Sequence, residues 1–131
     1  MKKKKEHNRT WWKHEADTWF SRYIRQRDKN KGCYTCDTIS PKLQCGHFIP
    51  RQYLYTRYNE VNNHAQCFVC NMLKNGEPGA YAIRLQKEYG DNIVKDLENS
   101  KKIINRDMDY QKIAMKYKEK YEALIKKEDV L

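Results

Sequence analysis

Cys33-Tyr34-Thr35-Cys36 and Cys67-Phe68-Val69-Cys70, with Cys45-Gly46-His47 between them and Asn71 directly after the last cysteine, decide how this chain folds. Two pairs of thiolates make a complete tetrahedral set for a structural Zn²⁺, whose bonds to sulfur are about 2.3 Å long. Cys33, Cys36, Cys67 and Cys70 are therefore the expected zinc ligands, and the metal is expected to staple the segment between them. Cys45 is left over as a small strand residue, because letting Cys45 and His47 complete a site with one knuckle would strand the other pair. A second set of potential ligands, His47, Asn62, His64 and Asn71, falls inside or beside the same frame and forms the candidate active site.

At 131 residues the chain has the size of one domain with appendages, small enough to gain from a metal staple. Its 27 Lys and Arg residues against 17 acidic ones give a net charge of +10. That balance points to a polyanionic partner, nucleic acid first. No apolar run reaches the roughly 18 residues that would suggest a membrane span. Met1-Lys2-Lys3-Lys4-Lys5-Glu6 is followed by no apolar signal-peptide segment, so a cytoplasmic protein without membrane contact is expected. The odd count of five cysteines favours thiolate metal binding in a reducing compartment over a disulfide framework.

Residues 1–9 read as a basic, flexible tail, and 10–131 as a single domain. Within it, 10–32 hold an N-terminal helix, 33–76 the zinc-bound core and 77–131 C-terminal helices. Thr10 is the expected cap of a helix reaching about Asp28, with Trp12, Ala16, Trp19, Tyr23 and Ile24 at helical spacing. Leu43 to Ile49 and Asn62 to Gln66 read as two strands, joined by a basic, aromatic loop over Arg51–Asn59. The second knuckle opens a short helix carrying Asn71 and Lys74. Ala80, Ile83 and Leu85 are expected to be buried on the next helix, which Gly90 ends. Asp91 caps a further helix burying Ile93, Val94 and Leu97. From about Asp109 a long amphipathic helix follows, with Tyr110, Ile113, Ala114, Tyr117, Tyr121, Leu124 and Ile125 along one stripe. That stripe packs on the N-terminal helix or pairs two copies as a homodimer.

A strand-loop-strand held over a helix by zinc can aim a His, an Asn and a second His at one spot. Hydrolysis of a phosphodiester needs a base for water and a divalent ion for the developing charge. His47, neutral near pH 7, can take the proton. Asn71 offers a neutral oxygen to Mg²⁺ or Mn²⁺, and Asn62 or His64 could add to or orient that sphere. Arg51, Arg57 and Lys74 are the basic residues nearest this set and the candidate DNA contacts.

The order Cys-x-x-Cys, Gly46-His47, Asn62, then Cys67-x-x-Cys70-Asn71-x-x-Lys74 resembles an HNH endonuclease of the ββα-metal class. More closely, Cys33 to Gly90 resembles the phage NinG (Rap) family of recombination nucleases. The likeness is carried by Gly46-His47-Phe48, Arg57-Tyr58-Asn59-Glu60, Asn62-Asn63-His64-Ala65-Gln66-Cys67 and Val69-Cys70-Asn71 with Lys74-Asn75-Gly76, followed by Tyr81 and Leu85. It implies an α+β fold with a small zinc-stapled ββα-metal, treble-clef core and flanking helices. It also implies a metal-dependent, structure-specific endonuclease for branched recombination intermediates such as Holliday junctions and D-loops. Position by position, His47 matches the general base, Asn71 the metal-binding residue closing the motif, and Asn62 the middle Asn, which usually braces the loop. His64 matches a histidine of the phage family and is the candidate additional ligand. Many HNH enzymes place an Asp or His metal ligand directly before the base, where this chain has Gly46, a glycine the phage family shares.

Two other functions compete. A noncatalytic zinc-finger module would bind nucleic acid through the same basic surface. An assembly protein would use the long C-terminal helix to pair with a partner.

Overall fold

A computed structural model describes residues 6–105 and 107–130. The lysines of the expected basic tail, Lys2 to Lys5, lie outside the described residues. The elements run α1 (Arg9–Asp28), β1 (Gln44–His47), α2 (Leu54–Arg57), β2 (Asn63–Gln66), a π-helical turn (Val69–Leu73), α3 (Pro78–Tyr89), α4 (Ile93–Asn99), a 3₁₀ turn (Ser100–Lys102) and α5 (Tyr110–Val130). The protein is thus helix-rich α+β with a two-stranded sheet. It divides into two compact units, one built from the chain up to Tyr23 together with Asp109 onward, the other from Ile24–Met108.

The first unit is an aromatic seam between α1 and α5. Helix α1 starts one residue before the expected Thr10, because Asn8 is the cap: its Oδ1 accepts the Trp11 amide at 2.9 Å, filling one of the bonds a helix start leaves open. Asp109 Oδ1 does the same for Lys112 N at 3.0 Å at the start of α5. Phe20 meets Tyr117 edge to face at 4.7 Å between centroids, Tyr23 lies 5.4 Å from the same ring and Trp19 lies 5.8 Å from Tyr121. Ala16, Phe20, Ala114 and Tyr117 are buried, so the stripe of α5 packs against α1 within the chain.

The second unit carries the cysteine cluster and the hairpin. Strands β1 and β2 are antiparallel, with Gln44 opposite Gln66, Cys45 opposite Ala65, Gly46 opposite His64 and His47 opposite Asn63. Both are shorter than the sequence suggests, because Asn62 and Ile49 spend their polar groups on each other beyond the ladder. The Arg51–Asn59 segment contains the single turn α2, which burial of Thr56 and Arg57 stabilises against the absence of any helical period. The residues after the second knuckle take a π-helical rather than an α-helical turn. Tyr34, Ile49, Tyr81, Leu85 and Leu97 form the core, with Ile93 and Val94 packed at its edge. Ile83 is solvent-exposed instead of buried, since Tyr81 and Leu85 already fill the inward face of α3. Helix α4 starts at Ile93 with Asn92 in the cap position and no side-chain cap bond, in place of the expected Asp91 cap.

Candidate functional site

Two turns bring four thiols together. The Sγ atoms of Cys33, Cys36, Cys67 and Cys70 all lie within 4.8 Å of one another. Cys36 and Cys67 approach to 3.7 Å, close to the ~3.8 Å edge that sulfurs around a tetrahedral zinc would have. The first turn is tight. Asp37 N donates to Cys33 O at 2.8 Å and Cys33 N to Thr38 O at 2.9 Å. Gly32 enters it at φ 77°, where a Cβ would fall 2.9 Å from Asp37 O. Cys70 N points at Cys67 Sγ at 3.5 Å, a donor that suits thiolate charge, and Cys36 Sγ donates to Thr38 Oγ1 at 3.1 Å. The four thiols can hold a metal ion such as zinc. Among the described residues no other group of three or more His, Cys, Asp or Glu side chains is close enough to do so. Cys45 stands outside the cluster, and burial pushes its thiol up to about 12, keeping it neutral.

His47 ends β1 half-buried, and the backbone on both sides of it is fixed. Tyr81 Oη, from α3, donates to Gly46 O at 2.8 Å, and Phe48 N donates to Asn62 O at 2.9 Å. Asn62 is fully buried. Its Oδ1 accepts Ile49 N at 2.7 Å, while its Nδ2 donates to Ile49 O at 3.1 Å and Thr56 O at 3.2 Å. It therefore braces the loop after His47 and does not reach solvent. Asn63 is a second buried brace that sequence reasoning passed over, with Nδ2 directed at the carbonyls of Thr56, Arg57 and Asn59.

The remaining candidates do not converge on one point. His64 is buried between Tyr34, stacked on it at 3.8 Å, and the end of α1. Its Nε2 lies 3.0 Å from Val61 O and its Nδ1 lies 3.2 Å from Arg27 Nη2. A carbonyl only accepts and a guanidinium only donates, so the ring is the Nε2–H tautomer with its one lone pair already used. Burial, followed by the Arg27 charge, lowers its pKa to about 4. Asn71 sits in the π turn with Nδ2 donating to Gln44 Oε1 at 2.8 Å, at the opposite end of β1 from His47. Arg51 and Lys74 are exposed, whereas Arg57 is buried and donates to Arg51 O at 3.1 Å.

Gln66 explains the glycine before His47. A Cβ on Gly46 would lie 1.9 Å from Gln66 Oε1. That amide is held in place by bonds from its Nε2 to Thr35 Oγ1 at 3.0 Å and Gly76 O at 2.9 Å. A side chain at position 46, carboxylate or imidazole, has no room while Gln66 ties the two knuckles together.

The pair Arg27 and Asp28, at the end of the N-terminal helix, clamps β2. Arg27 donates to Asp28 through Nε and Nη2 at 2.7 and 3.0 Å, and to the carbonyls of Glu60 and Asn63 at 3.0 and 2.8 Å. Asp28 Oδ2 accepts Ala65 N at 3.0 Å. Burial raises the Asp28 pKa, but the Arg27 fork and the Ala65 amide outweigh it and hold the carboxyl below its ordinary value. The signal available in sequence was the acidic residue ending a basic helix face.

The family profile described as Bacteriophage Lambda NinG protein matches residues 1–128 of this chain. The chain is similar to Protein ninG of Escherichia phage lambda, 32% identical over 94 residues, covering 70% of this chain and 46% of that protein. It is also similar to Protein ninG of Salmonella phage P22, 31% identical over 96 residues, covering 72% and 47%. It is 31% identical over 94 residues to Protein ninG of Escherichia phage 933W, covering 70% and 47%. The matched stretch thus spans about half the length of these relatives. No solved structure matches this fold. Among the described residues no helix is long and apolar enough to cross a membrane.

Proposed function

This chain belongs to the NinG family, and from that premise we propose that it is a metal-dependent endonuclease that hydrolyses phosphodiester bonds in branched DNA such as Holliday junctions and D-loops. The hairpin and the turn after it would be the HNH-like, ββα-metal part of the molecule, with a structural Zn²⁺ on the four cysteines. The observation that carries this is the half-buried His47 at the end of a strand pinned on one side by the thiol cluster and on the other by Asn62 and Tyr81. A partly accessible imidazole held on a fixed backbone suits a general base. His47 would take a proton from water as its oxygen attacks phosphorus. The bond from phosphorus to the leaving oxygen breaks, that oxygen takes a proton from solvent, and the imidazolium then releases its own.

A divalent Mg²⁺ or Mn²⁺ would neutralise charge developing on the phosphate. The protein offers it little: position 46 has no side chain, and the His64 lone pair is used. Asn71 has an Oδ1 that its bond to Gln44 does not use, but it lies at the opposite end of β1 from His47, so the ion would depend mainly on other oxygens. Water and DNA phosphate oxygens would complete the sphere, the usual arrangement for Mg²⁺. Arg51 and Lys74, exposed near the hairpin, would meet phosphates, whereas the buried Arg57 would hold the Arg51 backbone.

The test is cleavage of a labelled four-way junction with and without Mg²⁺ or Mn²⁺, alongside His47→Ala. Metal-dependent cutting should fall by a factor of roughly 10²–10⁴ in the variant, the usual contribution of a positioned base, with junction affinity unchanged. If the parent binds the junction and cuts nothing with either ion, the protein is instead a noncatalytic zinc-finger module.

A further inference from the structure

We propose that the groove between α1 and α5 in the first unit is a docking site for a basic, partly apolar segment of a protein partner. The groove encloses about 890 Å³, within the range of sites that hold ligands or peptide side chains. Its apolar surface comes from Trp11, Trp12, Ala114 and Met115. Trp11 is 38% exposed and Met115 58% exposed, in a two-helix unit that buries Phe20, Tyr23, Tyr110 and Tyr117.

The charge of the groove opposes that of the chain. Overall the protein carries +10, yet among the described residues Glu6, Glu15, Glu119 and Glu122 line this groove with one lysine, Lys118, and His7. Such a rim repels phosphate and attracts lysine or arginine, which separates this surface from any that binds DNA. The ring geometry suits the same occupant. Trp11 and Trp12 stand at 89° with centroids 4.8 Å apart, and His7 stacks on Trp11 at 3.5 Å, holding the indole in place. Indoles in this helix pair already take cations: Arg22 lies 4.8 Å and Lys118 5.6 Å from the Trp19 ring. An incoming lysine or arginine would lay its aliphatic stem along Met115 and the indoles and present its charge to the glutamates. None of this depends on the nuclease proposal, because every residue used lies in the first unit.

The probe is a fluorescein-labelled peptide of alternating leucine and lysine pairs, compared by anisotropy with the same peptide carrying glutamate for lysine. The lysine peptide should bind and shift the tryptophan emission, and the glutamate peptide should not. Glu119→Lys with Glu122→Lys should weaken binding roughly tenfold or more, as should Trp11→Ala, the loss expected for a central anchor. The paired charge reversal lies on exposed positions, so it remains informative if Trp11→Ala does not fold. Unchanged peptide affinity in the charge-reversed protein overturns the proposal. So does equal binding of the glutamate peptide. So does a dimer, seen by light scattering, that the charge reversal dissociates, because the occupant would then be a second copy.

Discussion

Gly46 is fixed by a neighbour and not by its own backbone. Gln66 lies across its Cα so closely that a methyl group would fall 1.9 Å from the amide oxygen, and Gln66 is buried with two hydrogen bonds of its own. Gly46→Ala should therefore cost about 1–3 kcal/mol by overpacking, read as a lower urea midpoint. Combined with Gln66→Ala, which removes the clash, the added cost of Gly46→Ala should drop below about 1 kcal/mol, the non-additivity expected of residues in contact. Additive costs would mean that the strain lies elsewhere. His64 supplies a pH signature. Its folded pKa of about 4 lies below the ordinary 6.5, so between these values the unfolded chain binds a proton that the folded chain refuses. The contribution is complete above pH 6.5 and is lost as pH falls toward 4, on the order of 3 kcal/mol for this burial. The loss should be reduced in His64→Gln, with zinc release followed separately by a metal indicator because thiolates also protonate in acid. An imidazole NMR titration near pH 6.5 for His64 would contradict the buried tautomer.

At the scale of elements, the hairpin is held from behind by the last turn of α1. Arg27 and Asp28 supply three bonds to the backbone of the Glu60–Ala65 segment, and the Asp28 side chain is only 4% exposed. Asp28→Asn leaves the Arg27 charge without its partner in a buried setting, which typically costs about 3–5 kcal/mol. Denaturant unfolding should show that loss, and hydrogen exchange should show reduced protection of the Ala65 amide. Wild-type protection in the variant would exclude the clamp. This clamp also marks where sequence stopped being legible. The knuckles, the hairpin and the long helices announce themselves within windows of a few residues, through cysteine spacing, turn residues and apolar period. Arg27 reaches Glu60 across 33 residues and Asp28 reaches Ala65 across 37, and no local pattern encodes such a partner. The same limit hid Gln66 as the reason for Gly46 and the engaged state of His64, which in sequence is only a histidine in the right place. Helix α2 was missed for a different reason: its single turn is set by the burial of Thr56 and Arg57 and carries no period to read. Asn8 was passed over as the cap because Thr10 stands just beyond it with an equally capable side chain.

For the whole molecule, the two units rest on different forces, and metal removal should separate them. The first holds α1 and α5 by rings, Phe20 and Tyr23 on Tyr117 and Trp19 on Tyr121, and contains none of the four clustered thiols. The second packs Tyr34, Ile49, Tyr81, Leu85 and Leu97 beside the cysteine cluster, in a segment that must also order two short strands and long turns. A structural zinc contributes roughly 10–16 kcal/mol at neutral pH in small zinc domains, as much as the whole net stability of a typical domain at about 5–15 kcal/mol. A zinc held by the four thiols would therefore decide whether the second unit folds, while the first would rest on its apolar seam. Purified protein should carry about one zinc per chain by elemental analysis, the number one four-thiolate site holds. Stripping it with a chelator should abolish the dispersed amide signals of the hairpin, including Ala65 and Gln66. A large part of the helical circular dichroism should survive, since α5 and α1 up to Tyr23 lie in the first unit. Simultaneous collapse of both would show that the seam is not self-supporting, and a dispersed hairpin spectrum in verified zinc-free protein would remove the metal from the fold.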